Sequence, residues 1–538
     1  VLKALVDKGA LGQKSGAGFY RKDGKAIKVL DPKANDYVES AGKADDLVAR
    51  ILKKKDPAER LKLLRESDHP QAKFLWAIFR DAFHYIAVHL DAIADTARDV
   101  DFALRWGFGW STGPFETWQA AGWKQVAEWV KADIDAGEAL SKAPLPKWVF
   151  DGPVAQANGV HTPEGSWSPS NNKFVTRSNL PVYSRQIFRA PLLGEGSPTG
   201  ATGGTTVFED DSVRAWTLVP NQAGAIPESA ADVLILSLKT KVHAIGPGVV
   251  AGLLKAVEIA ESKYRGLVIW SPEDPFSVGA DLQAMMPVFM SGGAKAIDVE
   301  EKKMQDAFMR IKYAQVPVVA AVSGMALGGG CELILHCSKA VASLESYIGL
   351  VEVGVGLIPG AGGLKEGAVR GAQAAQAAGM TDVFPFIKNW FLNAAMANVS
   401  KSALEAKQMG YLRATDTVVF NNHELLWTAI NQAAALHAAG YRAPLRQTSF
   451  AVAGRAGVAT IKAQLVNMRD GGFISQHDYF LASGIANVMC GGDVESTAQA
   501  DEQWLLDLER KFFTELVNHP KSQERMMGMM STGKPVRN

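Results

Sequence analysis

The sequence predicts an α/β core set between two helical regions, and three observations carry that reading. From Val233 to Val322 short β-branched and aliphatic runs alternate with a segment of helical period, as buried strands joined by helices do. Residues 1 to about 140, and those beyond Ala368, instead read as mostly helical. Between them, residues 151–212 are rich in Pro, Gly, Ser, Thr and Asn, as in the run Gly194 to Gly204. The expected organisation is a helical region over 1–150, an irregular connector over 151–212, an α/β core over 213–400 and a helical region over 401–538. A chain of 538 residues is long enough for two to four domains.

In the first region Asp56-Pro57 reads as a helix start, with Asp as the cap and Pro at the first helical position. Ala72 to Ala97 follows as a long amphipathic helix carrying Phe74, Ile78, Phe83, Ile86 and Leu90. His84 and His89 fall within it and read as core or helix-face histidines. Two glycine-aromatic turns, Gly12 to Tyr20 and Gly107 to Glu116, point to a duplicated helical unit whose first copy is truncated. In the core, Val233 to Leu238, Gly266 to Trp270 and Val318 to Val322 read as strands, and Gly248 to Ser262 as a helix. The third strand runs into Gly328-Gly329-Gly330, after which Glu332 to Cys337 reads as the first turns of a helix. Lys401 to Gly410 and Asp501 to Asn518 are the clearest later helices.

Composition excludes several classes. A formal charge of +1 leaves no global field to hold nucleic acid or an anionic membrane. The three cysteines, Cys331, Cys337 and Cys490, are too few and too scattered for a disulfide framework or a zinc cluster. They point to a reducing, cytoplasmic setting, and no metal is expected. The longest apolar run, Val316 to Leu327, is too short to span a membrane and contains Pro317. The chain opens at Val1 in what reads as mid-helix, so a fragment or processed chain is expected and no targeting signal is read from it.

The chemistry is concentrated in one stretch. Glu332 and Glu352 lie twenty residues apart, each beside glycines. Two carboxylates close together in an apolar setting do not both ionise readily, so one keeps a proton and the pair can take a proton from water and give one to carbon. The turn Val278-Gly279-Ala280-Asp281-Leu282 and the glycine triplet can each expose backbone N–H groups, the second at a helix N-terminus. Two convergent N–H donors form an oxyanion hole for a thioester carbonyl. Taken singly, the turn, the triplet and a helical Glu are ordinary structural features. Their order and spacing single them out.

With those motifs, residues from about Asp232 to Arg370 resemble the crotonase (enoyl-CoA hydratase/isomerase) superfamily. The matching elements are Gly279-Ala280-Asp281, Gly324 to Leu333, and Glu352 with Leu357 to Gly363; Ser402 to Gly410 is similar to the family's later helix. The resemblance implies a crotonase-like spiral of repeated ββα units with a helical trimerisation or docking region, and an acyl-CoA thioester as substrate. It implies that the N–H groups of Ala280 and Gly329 hold the carbonyl, that Glu332 acts on water and Glu352 on the α-carbon, and that the Gly360 N–H helps place the water. Val278, Asp281 and Leu282 are candidate substrate contacts, and His243 lies where a CoA-binding loop is expected. His336 and Cys337 read as packing residues. No cofactor is implied for hydration.

The Gly12 to Tyr20 turn and the stretch Asp99 to Phe115 resemble the C-terminal helical domains of 3-hydroxyacyl-CoA dehydrogenases, and the C-terminal Thr532 to Asn538 is similar to the tail of bifunctional β-oxidation proteins. That resemblance implies an all-α N-terminal region, and an NAD-binding domain expected ahead of residue 1, because no GxGxxG opening a βαβ unit precedes Asp151. The leading expectation is enoyl-CoA hydration in fatty-acid β-oxidation, within a multifunctional protein. The alternatives are Δ3,Δ2-enoyl-CoA isomerisation and a docking scaffold for a thiolase-like partner. A homo-oligomer is compatible with each.

Overall fold

A computed structural model describes residues 1–24, 26–40, 42–195, 204–218 and 232–538. Most of the glycine-rich run from Gly194 to Gly204 lies outside them. The chain forms two compact units: residues 1–177 with 191–197, and residues 178–190 with 198–538.

The first unit is helical over Asp46–Leu52, Pro57–Glu66, Pro70–Ile93, Ala97–Phe108, Pro114–Ala120 and Trp123–Asp135. Its core is aromatic. Phe83, Phe115, Trp118, Trp123 and Trp167 are buried, and the Trp118 and Trp123 rings stack at 4.2 Å. Asp56 caps its helix through the Ala58 N–H at 3.0 Å, with Pro57 at the first helical position. His84 is buried and bonded to the Ala143 carbonyl at 2.7 Å, while His89 lies against Tyr85.

Two expectations need correction. The unit is not all-α: Tyr20–Asp23, Ala26–Asp31 and Asp36–Glu39 form an antiparallel sheet. The Gly12 to Tyr20 turn opens into that sheet, so it does not head a helical unit like the one after Gly113. Nor is 151–212 irregular, because Gly152–Ala157 is a helix and His161–Thr162, Gly165–Ser168 and Lys173–Val175 make a second antiparallel sheet. Among the described residues of that stretch, some that read as connector turn hairpins. Gly165 has φ of 140° and the Val175 carbonyl lies 2.2 Å from where its Cβ would stand, and Asn172 turns the next hairpin at φ of 48°.

That second sheet is pinned to the helices by buried polar groups. His161 meets Asp101 at 2.7 Å and Ser166 at 2.8 Å, and the Ser166 hydroxyl donates to Glu195 at 2.7 Å. Ser166, His161 and Asp101 are at most 1% exposed, so this Ser-His-Asp series is out of reach of any substrate. Asp101 also accepts from the Phe115 and Glu116 N–H groups at 2.8 and 2.9 Å, which leaves no room for a side chain at Gly113. Packing thus accounts for the second glycine-aromatic turn. Replacing Asp101 by Ala strands two amides and a histidine, and is expected to cost the first unit about 3 to 5 kcal/mol in a urea unfolding titration.

The second unit carries a seven-stranded sheet: β1 (Thr205–Glu209), β2 (Val213–Thr217), β3 (Val233–Leu238), β4 (Gly266–Ile269), β5 (Val318–Leu327), β6 (Lys339–Gly349) and β7 (Thr417–Val419). Neighbours in the sheet are neighbours in the chain, antiparallel from β1 to β3 and parallel from β3 to β7. The sheet therefore overruns the expected 213–400 limits at both ends. Parallel neighbours need crossovers, and these include helices α1 (Pro247–Lys263), α2 (Leu282–Lys312) and α3 (Gly329–His336). The second strand of each expected ββα unit is reduced to bridges, Ile245 with Ala280 and Ser277 with Ala326, and to the far end of β5 beyond the irregularity at Val322/Gly324. Beyond β6 come α4 (Gly363–Ala377), α5 (Glu502–Val517) and α6 (Pro520–Thr532), with further helices between them. A continuous apolar core joins the sheet to these later helices through Leu364, Phe391, Leu481, Leu505 and Phe513. Among the described residues no helix is long and apolar enough to cross a membrane, and no His/Cys/Asp/Glu cluster has the makings of a metal site.

Candidate active site

The far ends of β5 and β6 deliver the glycine triplet and the second glutamate to one place. The Gly328 N–H donates to the Gly349 carbonyl at 2.9 Å, and a Cβ on Gly328 would stand 3.2 Å from Glu352 Oε1. Alongside runs 276–281. Its amides are used one by one: Phe276 to the Ser323 carbonyl, Ser277 to Met325, Val278 to Val242, Gly279 to the Ser277 hydroxyl and Asp281 to Ile245. Only Ala280 in that run gives its N–H to no described acceptor, and Gly329, at the start of α3, likewise gives none. The two lie side by side: a Cβ on Gly329 would stand 3.4 Å from the Ala280 nitrogen. Gly279, at φ of 96°, has Leu327 O and Gly329 N within 3.0 Å of its missing Cβ, so only glycine lets the two free amides converge.

Glu332 is 2% exposed, and its Oε1 accepts from the Ala361 N–H at 2.9 Å and the Gly363 N–H at 2.8 Å. Burial lifts its carboxyl to about 7, against the pull of those two amides and of Lys365. Glu352 heads a short 3-10 turn (Glu352–Val355). The residue is only partly buried, but both its carboxyl oxygens are, and neither has a hydrogen-bond partner. Burial first, then the charge of Glu332, hold it well above the usual carboxylate range. One carboxyl is therefore ready to ionise at neutral pH while the other keeps its proton.

Both glutamates open on a cavity of about 100 Å³ whose lining includes Val278, Ala280, Leu282, Gly329 and Gly360. Asp281 is the exception among the candidate residues. It caps α2 through the Gln283 and Ala284 N–H groups, both at 3.0 Å, and lines the neighbouring cavity instead. His243 is buried, bonded to the Pro275 carbonyl at 2.5 Å, and its own carbonyl accepts from the Ser277 hydroxyl at 2.7 Å, so its interactions here brace the 276–281 run. His336 joins the Glu332 carbonyl at 2.7 Å to Lys365 Nζ at 2.9 Å, and burial keeps it neutral. Burial pushes the Cys337 thiol up to about 12, leaving an unreactive packing group.

Sequence reasoning missed the groups that hold this site. Glu509 of α5 accepts from the Gly362 N–H at 2.7 Å and the Lys365 N–H at 2.6 Å, gripping the loop that carries the Glu332 donors. Ser522 and Arg525 of α6 bind the Gly356 and Val353 carbonyls at 2.5 and 3.0 Å and so fix the turn that carries Glu352. Glu301 of α2 also lines the cavity. Each is a polar residue on a helix with no local motif to mark it.

The stretch that carries these groups is similar in sequence to known proteins. Residues 228–383 match the enoyl-CoA hydratase/isomerase family. The matched stretch holds both glutamates and both free amides, while Glu509 and the α6 residues lie beyond it. A Bacillus subtilis protein named "Probable 3-hydroxyacyl-CoA dehydrogenase" is 35% identical over 99% of this chain and 63% of its own length. The "Fatty acid oxidation complex subunit alpha" of Colwellia psychrerythraea is 41% identical over 19% of this chain and 14% of its own. The "Peroxisomal bifunctional enzyme" of Cavia porcellus is 37% identical over 26% and 18%. The chain thus spans less than two thirds of each of these relatives.

Because the folded state holds the Glu332 proton more tightly than the unfolded chain does, its contribution to stability is complete below about 4.5 and is lost as pH rises through about 7. Glu332→Gln is expected to be more stable than the wild type at pH 8, by up to about 3 kcal/mol, with the gap closing toward pH 5 in thermal melts.

Proposed function

We propose that this chain hydrates trans-2-enoyl-CoA to 3-hydroxyacyl-CoA. The observation that carries the reading is the sharing of one cavity by two unpaired amides, Ala280 and Gly329, and two carboxyls of opposite readiness to ionise. The amides take the thioester oxygen, where negative charge develops. Ionised Glu332 accepts a proton from water as the water oxygen bonds to the β-carbon, and the Gly360 N–H helps to orient that water. Protonated Glu352 gives its proton to the α-carbon, and one proton passing from Glu332 to Glu352 restores the starting state. No residue here is given a part in the dehydrogenation named for the Bacillus subtilis relative.

A second cavity, about 320 Å³ and lined by Met285, Met286, Phe289, Met526, Met527 and Met530 among others, shares Leu282 and Met285 with the first. We assign it to the acyl tail, since methionines adapt to flexible apolar chains.

The purified protein is expected to consume the enoyl absorbance of crotonyl-CoA, and Glu332→Gln and Glu352→Gln are each expected to lower kcat by about 10²- to 10⁴-fold. Full activity in either variant, with 3-enoyl-CoA as the better substrate, would instead identify an isomerase. Met526→Trp should raise KM for a long-chain enoyl-CoA about tenfold and leave crotonyl-CoA unchanged, a difference of about 1.4 kcal/mol in binding.

A further inference from the structure

Glu301 is the one carboxyl of this site that the chemistry above leaves unused. It is 5% exposed and lines two spaces at once: the inner cavity with Glu332, Glu352 and Gly360, and an outer cavity of about 280 Å³ with Asp281 and Lys303. Its Oε1 presses on Gly360, where a Cβ would stand only 2.5 Å away. The register is fixed, because Gln305, one turn along α2, donates to the Gly360 carbonyl at 2.6 Å and the Leu506 carbonyl at 3.0 Å. No described residue donates a hydrogen bond to the Glu301 carboxyl. A buried carboxyl aimed into a cavity without a protein partner is placed to bind what enters it.

We propose that Glu301 is a third acid of the site, a neutral carboxyl that donates a hydrogen bond to the β-oxygen: the attacking water in hydration, the hydroxyl in the reverse direction. The role rests on the hydratase reading. In the balanced step the water proton goes to Glu332, the water oxygen bonds to the β-carbon and the double-bond pair moves to the thioester oxygen. Return of that pair to the α-carbon takes up the Glu352 proton. Glu301 keeps its own proton throughout. It steadies that oxygen beside Gly360 and leaves Glu332 to act as the base.

The groups facing Glu301 support a neutral state. Glu332 on α3 and Glu352 on its 3-10 turn lie across the cavity, with Asp298 on α2 itself. Arg510 of α5 is the cation that pulls its pKa down, with Lys303 lining the same outer cavity, and the Arg510 guanidinium is engaged by Asp298 at 2.9 Å and by Gln305 and Asp507 at 3.0 Å. Burial, followed by the Glu332 charge, pushes Glu301 up to about 8. It therefore holds its proton below that pH and releases it above, while Glu332 ionises above about 7. Hydration is expected to peak between the two.

The test compares pH profiles of crotonyl-CoA hydration for the wild type, Glu301→Gln and Glu301→Ala, each checked for folding by circular dichroism. Glu301→Gln, which can donate but not ionise, should keep most of its kcat at pH 7 and lose the fall above about pH 8. Glu301→Ala should lower kcat by about ten- to a hundredfold with KM little changed. A difference infrared titration should show a protonated carboxyl band in the wild type that disappears near pH 8 and is missing from Glu301→Gln. Wild-type turnover with superimposable profiles overturns the role of Glu301 alone, as does absence of the band. A wild type that binds crotonyl-CoA without turning it over overturns the hydratase reading and this role together.

Discussion

The site depends on a short loop held between two buried carboxyl groups. Along 361–365 the backbone gives its amides alternately to opposite sides: Ala361 and Gly363 to Glu332, Gly362 and Lys365 to Glu509. A carboxyl group taken from water is costly unless hydrogen bonds replace the lost hydration, and here one loop serves two of them; burial, then the charge of Glu332, hold Glu509 well above the usual carboxylate range. Behind it Lys365 is fully buried, its ammonium held by Glu366 at 2.6 Å, His336 at 2.9 Å and Glu502 at 3.4 Å. Lys312 joins the same two glutamates at 2.5 and 2.6 Å, and Tyr313 donates to Glu502. Burial alone would raise the Glu366 carboxyl, but the charges of Lys365, Lys312 and Arg370 outweigh it and hold the group well below the usual carboxylate range. This network ties α2, α3, α4 and α5 together directly behind Glu332.

Division of labour between the two catalytic candidates follows from that constraint. Glu332 receives two amides and feels Lys365, so its charged form is within reach at neutral pH. Among the described residues the Glu352 carboxyl oxygens have no hydrogen-bond partner, and after burial the charges of Glu332, Glu301 and Glu509 push it up. Equal side chains acquire unequal readiness to ionise because their surroundings differ. The same contrast explains why the turn carrying Glu352 is held by its backbone carbonyls, through Ser522 and Arg525, and not by its carboxyl. A donor on that carboxyl would stabilise the anion and spoil the acid.

Glycine made much of this legible in the sequence. Gly279 and the triplet mark places where backbone must come close, and the glutamates sit beside such places; the resemblance then pointed to Ala280 and Gly329 among them. Glu301, Glu509 and Glu502 could not, since a glutamate on an amphipathic helix looks the same whether it meets solvent or a buried loop. Helix α2 was hidden by Pro287 and by Gly293, which leaves helical geometry at φ of 61°. The region 151–177 misled for the opposite reason: its Gly and Asn residues turn hairpins that bury Trp167 and His161, whereas the same composition in a linker buries nothing.

Glu509 lies 147 residues beyond the Gly362 amide it accepts from, and Arg525 lies 172 beyond the Val353 carbonyl it binds. During synthesis the sheet, the free amides and both active glutamates leave the ribosome long before the helices that fix them. The apolar core that the sheet shares with α5 therefore stays open until that helix has been made. Long-range closures of this kind are slow, and they leave unburied surface within reach of a chaperone or a protease.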